Sequence, residues 1–258
     1  MDNLAYQLAN GYVNLKIGKT SVRIPYAITK NGLKKNGIEN NSQTPATGRF
    51  ENYAGKGSPK QIQELLIASA KRENFPLPTA TSEQIFHFME MNAIGIDCSG
   101  FVYNVLDAFL QKIKNKKLDT IILRYPGLLG KIERFLLQKN RVRRSNANTL
   151  TSNLNTIKVE KVKDIQIADM IRLTHADWKG KHIAIIVGIT KTYIIYAMTS
   201  EYTKIKGSHF GKIKIVNKEK NLQEQEWEEV TKDGKNYGKD AFDPKRGDSV
   251  RRLKYLFV

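Results

Sequence analysis

The only cysteine of this chain lies in the segment Gly95-Ile96-Asp97-Cys98-Ser99-Gly100-Phe101-Val102-Tyr103-Asn104-Val105-Leu106. Asp97 belongs to the residue types favoured at helix N-caps, which places Cys98 in the first turn of a predicted helix, at the positive end of its dipole. This position predicts a lowered thiol pKa and a nucleophilic sulfur. Apolar residues follow with the spacing of a deeply buried helix, at Phe101, Val102, Val105, Leu106, Phe109, Leu110 and Ile113.

A lone buried cysteine is usually an inert member of a hydrophobic core. The neighbours of Cys98 favour a different interpretation, because Asp97, Ser99 and Gly100 are small and polar. They indicate a turn whose backbone N–H groups face a cleft.

The composition indicates a globular, strongly basic protein. The chain has 258 residues, of which 40% are hydrophobic, so it can form one substantial core or a core with a small appendage. The formal net charge of +18 favours anionic partners, such as nucleic acid, anionic lipid or an acidic cell-wall polymer. A single cysteine excludes an intramolecular disulfide and a cysteine-cluster zinc site.

The N-terminus lacks the basic start and the long apolar run of a signal peptide. No stretch approaches the roughly 18 uninterrupted apolar residues of a transmembrane helix. We therefore expect a cytoplasmic protein with no transmembrane segment, with secretion by an unrecognised route left open.

Helices are predicted before strands along the chain. Alternating apolar residues around Gly18-Lys19 predict a β-hairpin, and residues 30–57 predict an extended loop. Capping-box patterns that begin at Ser58 and Thr81 predict two helices ahead of the cysteine helix. The first predicted strand runs through Ile165, Ile167 and Met170-Ile171-Arg172-Leu173. The others are His182 to Gly188, Tyr193 to Met198, Lys212 to Val216, and a C-terminal strand through Leu253, Tyr255 and Phe257.

This order predicts an α+β protein with a mainly antiparallel sheet. We divide the chain into an N-terminal hairpin and loop extension at 1–57 and a main domain at 58–258. The main domain contains a basic insertion at about 112–163, with a helix predicted at 128–138 and a mobile loop at 145–155.

A cysteine nucleophile needs a base, and histidine is the natural one near neutral pH. Of the four histidines, His182 begins a long apolar strand, where buried neighbours would hold it rigidly at the mouth of a cleft. His87 is predicted to pack in a helix interface, His175 to be solvated in a loop, and His209 to lie in a turn.

Three segments resemble motifs of the NlpC-type cysteine peptidases, papain-like enzymes that cut peptidoglycan stem peptides. Residues 95–102 resemble the Asp-Cys-Ser-Gly-Phe-Val signature of that family. Ile167-Ala168-Asp169-Met170-Ile171 resembles its Pro-Gly-Asp-Leu-Val strand, with Ala168 where glycine is common. Residues 182–188 resemble its His-Val-Gly-Ile-Tyr-x-Gly strand, and the three motifs occur in the order of the family.

The resemblance implies a papain-like fold in which the nucleophile helix packs on the sheet and Cys98 pairs with His182. The thiolate would attack an amide carbonyl, the imidazolium would protonate the leaving amine, and the N–H of Cys98 would help to hold the oxyanion. Asp97 and Ser99 match positions that contact substrate in the family. Their simpler roles are those of a helix cap and a first-turn polar residue.

The residue that orients the histidine in the family corresponds to Tyr196, although core packing of this tyrosine fits the pattern equally well. Ser200, Glu201 or a backbone carbonyl are the alternatives. The family also has a Pro-Tyr segment close before the cysteine. Its nearest likeness here is Pro25-Tyr26, far upstream, which gives the hypothesis that Tyr26 lies beside Cys98.

The predicted function is therefore hydrolysis of an amide bond in a peptide or a peptidoglycan fragment, with no cofactor and no metal. The alternatives are an amidase or acyltransferase with the same dyad, and a non-catalytic basic binding protein on a degenerate peptidase fold. Gly55-Lys56-Gly57-Ser58 does not fit a phosphate loop, because Gly57 separates the lysine from the serine. The basic clusters at 112–117 and 141–144 lack an aromatic platform or a helix-turn-helix pattern, so nucleic acid is not predicted as the primary partner.

Overall fold

The computed structural model describes residues 3–26, 55–128, 145–174 and 181–257, together with positions 132 and 142. Over these ranges the α+β class and the antiparallel sheet are confirmed. The helices are α1 (Leu4–Val13), α2 (Pro59–Arg72), α3 (Ser82–Met91), α4 (Cys98–Lys114), α5 (Ala147–Leu150) and α6 (Tyr237–Ala241). The strands are β1 (Leu15–Ile17), β2 (Thr20–Val22), β3 (Thr156–Val159), β4 (Met170–Thr174), β5 (Lys181–Ile189), β6 (Tyr193–Ser200), β7 (Gly207–Lys214), β8 (Glu226–Trp227) and β9 (Ser249–Leu253).

The main sheet has the strand order β3-β9-β4-β5-β6-β7-β8, and every neighbouring pair is antiparallel. Strand β5 lies at its centre and is buried on both faces. Its odd-numbered residues Ile183 and Ile185 belong to the hydrophobic cluster that contains α1 to α4, which we call the helix-side cluster. Its even-numbered residues Ala184 and Ile186 belong to a second cluster on the opposite face.

The local helix signals predicted from the sequence are confirmed. Ser58 and Thr81 each form a capping box with the glutamine three residues later. Asp97 caps α4 and accepts a hydrogen bond of 2.6 Å from the N–H of Gly100. Cys98 is therefore the first residue of the helix that runs through the centre of the helix-side cluster.

The N-terminal residues form more than the predicted hairpin. Strands β1 and β2 pair as predicted on either side of Gly18-Lys19, but a helix, α1, precedes them. Ala5, Ala9 and Tyr12 lie on the buried side of α1 and share the helix-side cluster with Phe101 of α4. The N-terminal segment thus contributes to the same core as the cysteine helix.

The described part of the predicted insertion also joins this core. The mobile loop predicted at 145–155 is wrong, because Asn146 caps the short helix α5 and Leu150 is completely buried. The side chain of Asn155 forms hydrogen bonds with the backbone N–H and the carbonyl of Leu123, at 2.8 Å each. These bonds join the two ends of the segment between Leu123 and Asn155. The helix predicted at 128–138 and most of the loop predicted at 30–57 lie outside the described residues.

Three strand boundaries differ from the prediction. Strand β4 begins at Met170, so the strand predicted to include Ile165 and Ile167 is wrong at these two residues. Strand β7 begins at Gly207, so His209 lies within a strand and not in a turn. The C-terminal strand ends at Leu253 and continues as a 3-10 helix, Lys254–Phe257, so the strand predicted to reach Phe257 is wrong there. The N–H of Lys254 already donates to the carbonyl of Asn155, at 3.0 Å, which takes the chain out of the sheet.

A buried ion pair joins the start of β4 to β9. Arg252 donates two hydrogen bonds to Asp169, from Nε to Oδ1 at 2.6 Å and from Nη2 to Oδ2 at 2.7 Å. Burial raises the pKa of Asp169, and the Arg252 guanidinium acts in the opposite direction. The preceding Ala168 has a φ of +73°, in the left-handed region that favours glycine.

Replacement of Arg252 by methionine should lower the free energy of unfolding by about 3–5 kcal/mol, because it leaves the carboxylate of Asp169 buried without its partner. Urea denaturation measures this loss. The matched control is Lys214→Met, which removes one exposed cation from a surface pair and should leave the stability nearly unchanged. Equal midpoints for the two variants would show that the buried pair does not support the sheet.

Candidate active site

Two distant segments hold the residues that lead into α4. Ile96 forms parallel bridges with both Tyr26 and Gly55. Its N–H donates to the carbonyl of Pro25 at 3.0 Å, and the N–H of Asp97 donates to the carbonyl of Gly55 at 2.9 Å. The hypothesis that Tyr26 lies beside Cys98 is thereby confirmed. Burial raises the pKa of Tyr26, and Cys98 is the next contributor to the rise.

A buried lysine from the second of these segments binds the start of α4. The Lys56 side chain is 8% exposed, and its Nζ donates to Asp97 Oδ1 at 2.9 Å, to Ser99 Oγ and to the carbonyl of Ser145 at 3.2 Å. Ser99 Oγ in turn donates to Asp97 Oδ1 at 2.9 Å. Both predicted substrate-binding side chains, Asp97 and Ser99, are therefore engaged within the protein.

The glycine that follows Ser99 permits this close approach. A Cβ atom at Gly100 would lie 2.4 Å from the carbonyl oxygen of Gly55 and 3.0 Å from the Cα of Lys56. Any side chain at this position would push the lysine segment away from the helix.

The sulfur of Cys98 lies at the junction of α4 and β5. The backbone N–H groups of Ser99 and Ile183 both donate to it, and Cys98 is 7% exposed. Burial raises the pKa of Cys98 to about 12, and the charge of Asp97 adds to the rise. Lys56 and the two N–H groups lower the pKa, but by less than burial and Asp97 raise it. The lowered pKa predicted from the helix dipole is therefore wrong for this structure.

His182 immediately precedes the residue that contacts the sulfur. It lies near the start of β5, is 1% exposed, and is the cross-strand partner of Leu173. The structure thus brings Cys98 against the peptide unit between His182 and Ile183. Side chains alternate between the two faces of β5. His182 therefore lies on the same face as Ala184, opposite to the helix side, where Ile183 lies.

Tyr196 belongs to a buried polar cluster that the sequence did not reveal. Its hydroxyl donates to Glu229, and Nε2 of His209 lies 2.5 Å from the other carboxylate oxygen of Glu229. Nδ1 of His209 contacts the carbonyl of Gly207 at 2.8 Å. Burial raises the pKa of Tyr196, with Glu229 as the next cause. No pattern in the sequence linked Glu229 to a strand or to a histidine.

This polar cluster extends toward the sulfur through Tyr237. Tyr237 packs against Trp227, and burial raises its pKa, with further contributions from Glu229 and then Cys98. The alternatives to Tyr196 lie at the end of β6 and beyond it. Ser200 is buried and its Oγ accepts the N–H of Tyr202, whereas Glu201 is exposed.

The remaining histidines differ from the prediction where they can be compared. His87 lies on the exposed side of α3, so its predicted packing role is wrong, and His175 lies outside the described residues. Within residues 3–26, 55–128, 145–174 and 181–257, no group of three or more side chains could hold a metal ion. No helix in these same ranges is long and apolar enough to cross a membrane.

No family model, no curated protein and no solved structure matches this chain. The function must therefore be inferred from the contacts of its own residues.

Replacement of Lys56 by methionine should slow alkylation of Cys98 by iodoacetamide at neutral pH by about threefold to tenfold. The reason is that Lys56 is the cation that lowers the pKa of Cys98, so that its loss raises this pKa further and reduces the thiolate fraction. Lys60→Met, at an exposed lysine in the first turn of α2, is the matched control. An unchanged rate in a folded Lys56→Met protein would contradict this role.

Proposed function

We propose that the protein is a thiol hydrolase of the NlpC type, with a papain-like fold, that cleaves an amide bond in a peptide or a peptidoglycan stem-peptide fragment. The observation that carries the proposal is the position of the Cys98 sulfur. It lies at the first residue of α4, against the N–H that follows His182. Nucleophile and base thus belong to neighbouring elements, a helix start and a central strand, and the dyad requires the His182 ring to reach the sulfur around the start of β5.

The chemistry starts from the neutral thiol that burial favours. His182 would take the thiol proton as the sulfur attacks the amide carbonyl, and it would return the proton to the nitrogen as the C–N bond breaks. Water, activated by the same imidazole, would then cleave the thioester and release the acid. The N–H of Cys98 has no acceptor within its own helix and is available for the oxyanion.

The docked segments support a peptide substrate. Pro25-Tyr26 and Gly55-Lys56 both pair with the residues that lead into α4, and a peptide substrate would meet their groups next to Cys98. An amidase or acyltransferase would use the same dyad on another acyl group. A panel of peptides, non-peptide amides and esters, with products identified by mass spectrometry, separates these activities.

A second candidate function is that of a basic binding protein on a degenerate peptidase fold. The burial of the sulfur and the rise of its pKa to about 12 favour this reading. It differs from the first in one measurable property, since its thiol should show no dependence on the titration of a histidine.

Replacement of Cys98 by alanine should abolish hydrolysis, with a loss of at least about 1000-fold, together with all labelling by iodoacetamide. In the native protein the labelling rate should show a shoulder from the imidazole of the dyad, at lower pH than the alkaline rise that the thiol alone gives. His182→Ala should remove the shoulder and leave only the rise toward a pKa of about 12. Superimposable pH profiles for the two proteins would support the binding protein and overturn the dyad.

Replacement of Tyr196 by phenylalanine should remove the hydrogen bond to Glu229 and lower the free energy of unfolding by about 1–3 kcal/mol. If Tyr196 orients His182, kcat should fall and the shoulder in the labelling profile should move as well. Val250→Ala truncates another buried residue of the hydrophobic cluster opposite to the helix side, and so controls for a loss of stability alone. A loss of stability with an unchanged profile would assign Tyr196 to the core.

A further inference from the structure

Two arginines lie on the helix side of the sheet, one on β4, the neighbour of the strand that contacts the sulfur, and one on β9, the next strand along. Arg172 of β4 is the cross-strand partner of Ile183, whose N–H donates to Cys98. Directly paired residues have Cα atoms about 4.5–5.5 Å apart, and their side chains share one face. Arg172 alternates with Ile171 and Leu173, which belong to the opposite cluster. Its side chain therefore projects on the side of α4.

The second arginine is a diagonal neighbour of the first. Arg172 also pairs with Ser249 of β9, and Arg251 lies two residues further along the same strand, on the same face. Nε of Arg251 donates to Ser249 Oγ at 2.8 Å, and its Nη1 donates to Asn153 Oδ1 at 2.5 Å. Both of its partners are neutral.

Among the described residues, neither arginine donates a hydrogen bond to a carboxylate. Nε of Arg172 is buried and has no hydrogen-bond partner, although a guanidinium normally binds acceptors through its donors. Burial lowers the pKa of Arg251, and the proximity of Arg172 lowers it further, whereas Glu160 acts in the opposite direction. Glu160 is itself 66% exposed and lies 3.0 Å from Lys158.

We propose that Arg172 and Arg251 form a subsite for a substrate carboxylate on the helix side of the sheet, one and two strands away from β5, whose Ile183 N–H contacts Cys98. Guanidinium groups suit this ligand, because their planar donors match the two oxygens of a carboxylate. The inference rests on the proposed function, and it narrows the substrate to peptides or acyl amides with a free carboxylate near the scissile bond. Arg172 lies on β4, the neighbour of the strand that contacts the sulfur. At this position it would determine which substrates bind, and it would take no part in the bond-breaking step.

Two alkylating reagents test the subsite without any need for turnover. Iodoacetate and iodoacetamide react with a thiolate in the same way, forming an S–C bond with loss of iodide, but only iodoacetate carries a carboxylate. The ratio of their rates at Cys98, the single cysteine of the chain, cancels the reactivity of the thiol. Measurement at about 0.15 M salt screens the general attraction of a basic protein for anions.

The ratio of the iodoacetate rate to the iodoacetamide rate should fall by about fivefold in Arg172→Met and by less in Arg251→Met. Lys218→Met removes an equal charge from an exposed loop and should keep the native ratio. A native ratio in folded Arg172→Met overturns the subsite. If Arg172→Met does not fold, Arg172→Lys serves instead, with a fall in the ratio expected because the planar donors are lost.

Added anions separate the possible ligands. Sodium acetate should slow labelling of the native protein by iodoacetate more than sodium chloride of equal ionic strength does. Stronger protection by inorganic phosphate than by acetate would overturn the assignment to a carboxylate. The dyad can fail separately, since a missing histidine shoulder would refute the hydrolase while the ratio would still report on the arginines.

Discussion

The arrangement around Cys98 depends on the hydrogen bonds and the ion pair of one buried ammonium group, that of Lys56. It binds Asp97, Ser99 and the carbonyl of Ser145, and so joins three segments that lie far apart in the sequence. An ammonium group taken out of water without such partners would cost several kcal/mol, so these segments must assemble together. The close contact at Gly100 fixes their distance, because only a residue without a side chain fits there.

The sequence predicts those parts of the fold that depend on neighbouring residues. The caps at Ser58, Thr81 and Asp97, the hairpin around Gly18 and the buried strand β5 all follow from spacing over a few positions. Helix α1 was missed because its buried side consists mainly of small alanines, which give a weak apolar pattern. Helix α5 was missed because it is a single capped turn within a polar stretch, held by contacts to α4.

The candidate site shows the same division more sharply. Cys98, its cap and the strand of His182 could be located from local motifs, whereas Lys56 and Glu229 could not. Lys56 follows a stretch with the composition of a loop, and the partners that bury it lie about 40 and 90 residues away. Glu229 receives Tyr196 and His209 only because β6 and β7 bring their side chains together. Such pairings depend on sheet register, which a single sequence does not specify.

The thiol pKa shows why position in a helix does not decide the state of a nucleophile. A helix N-terminus stabilises an anion by about 0.3–1 kcal/mol, whereas the rise in the pKa of Cys98 from 9.0 to about 12 corresponds to about 4 kcal/mol. Burial therefore dominates, and the resting sulfur is a thiol. The cation Lys56 lies near this neutral group before any charge forms on it. Such a site favours an anion in two cases: when an acceptor for the thiol proton lies nearby, or when the substrate itself carries the negative charge. The groups around the sulfur therefore determine its chemistry more than its position in the helix does.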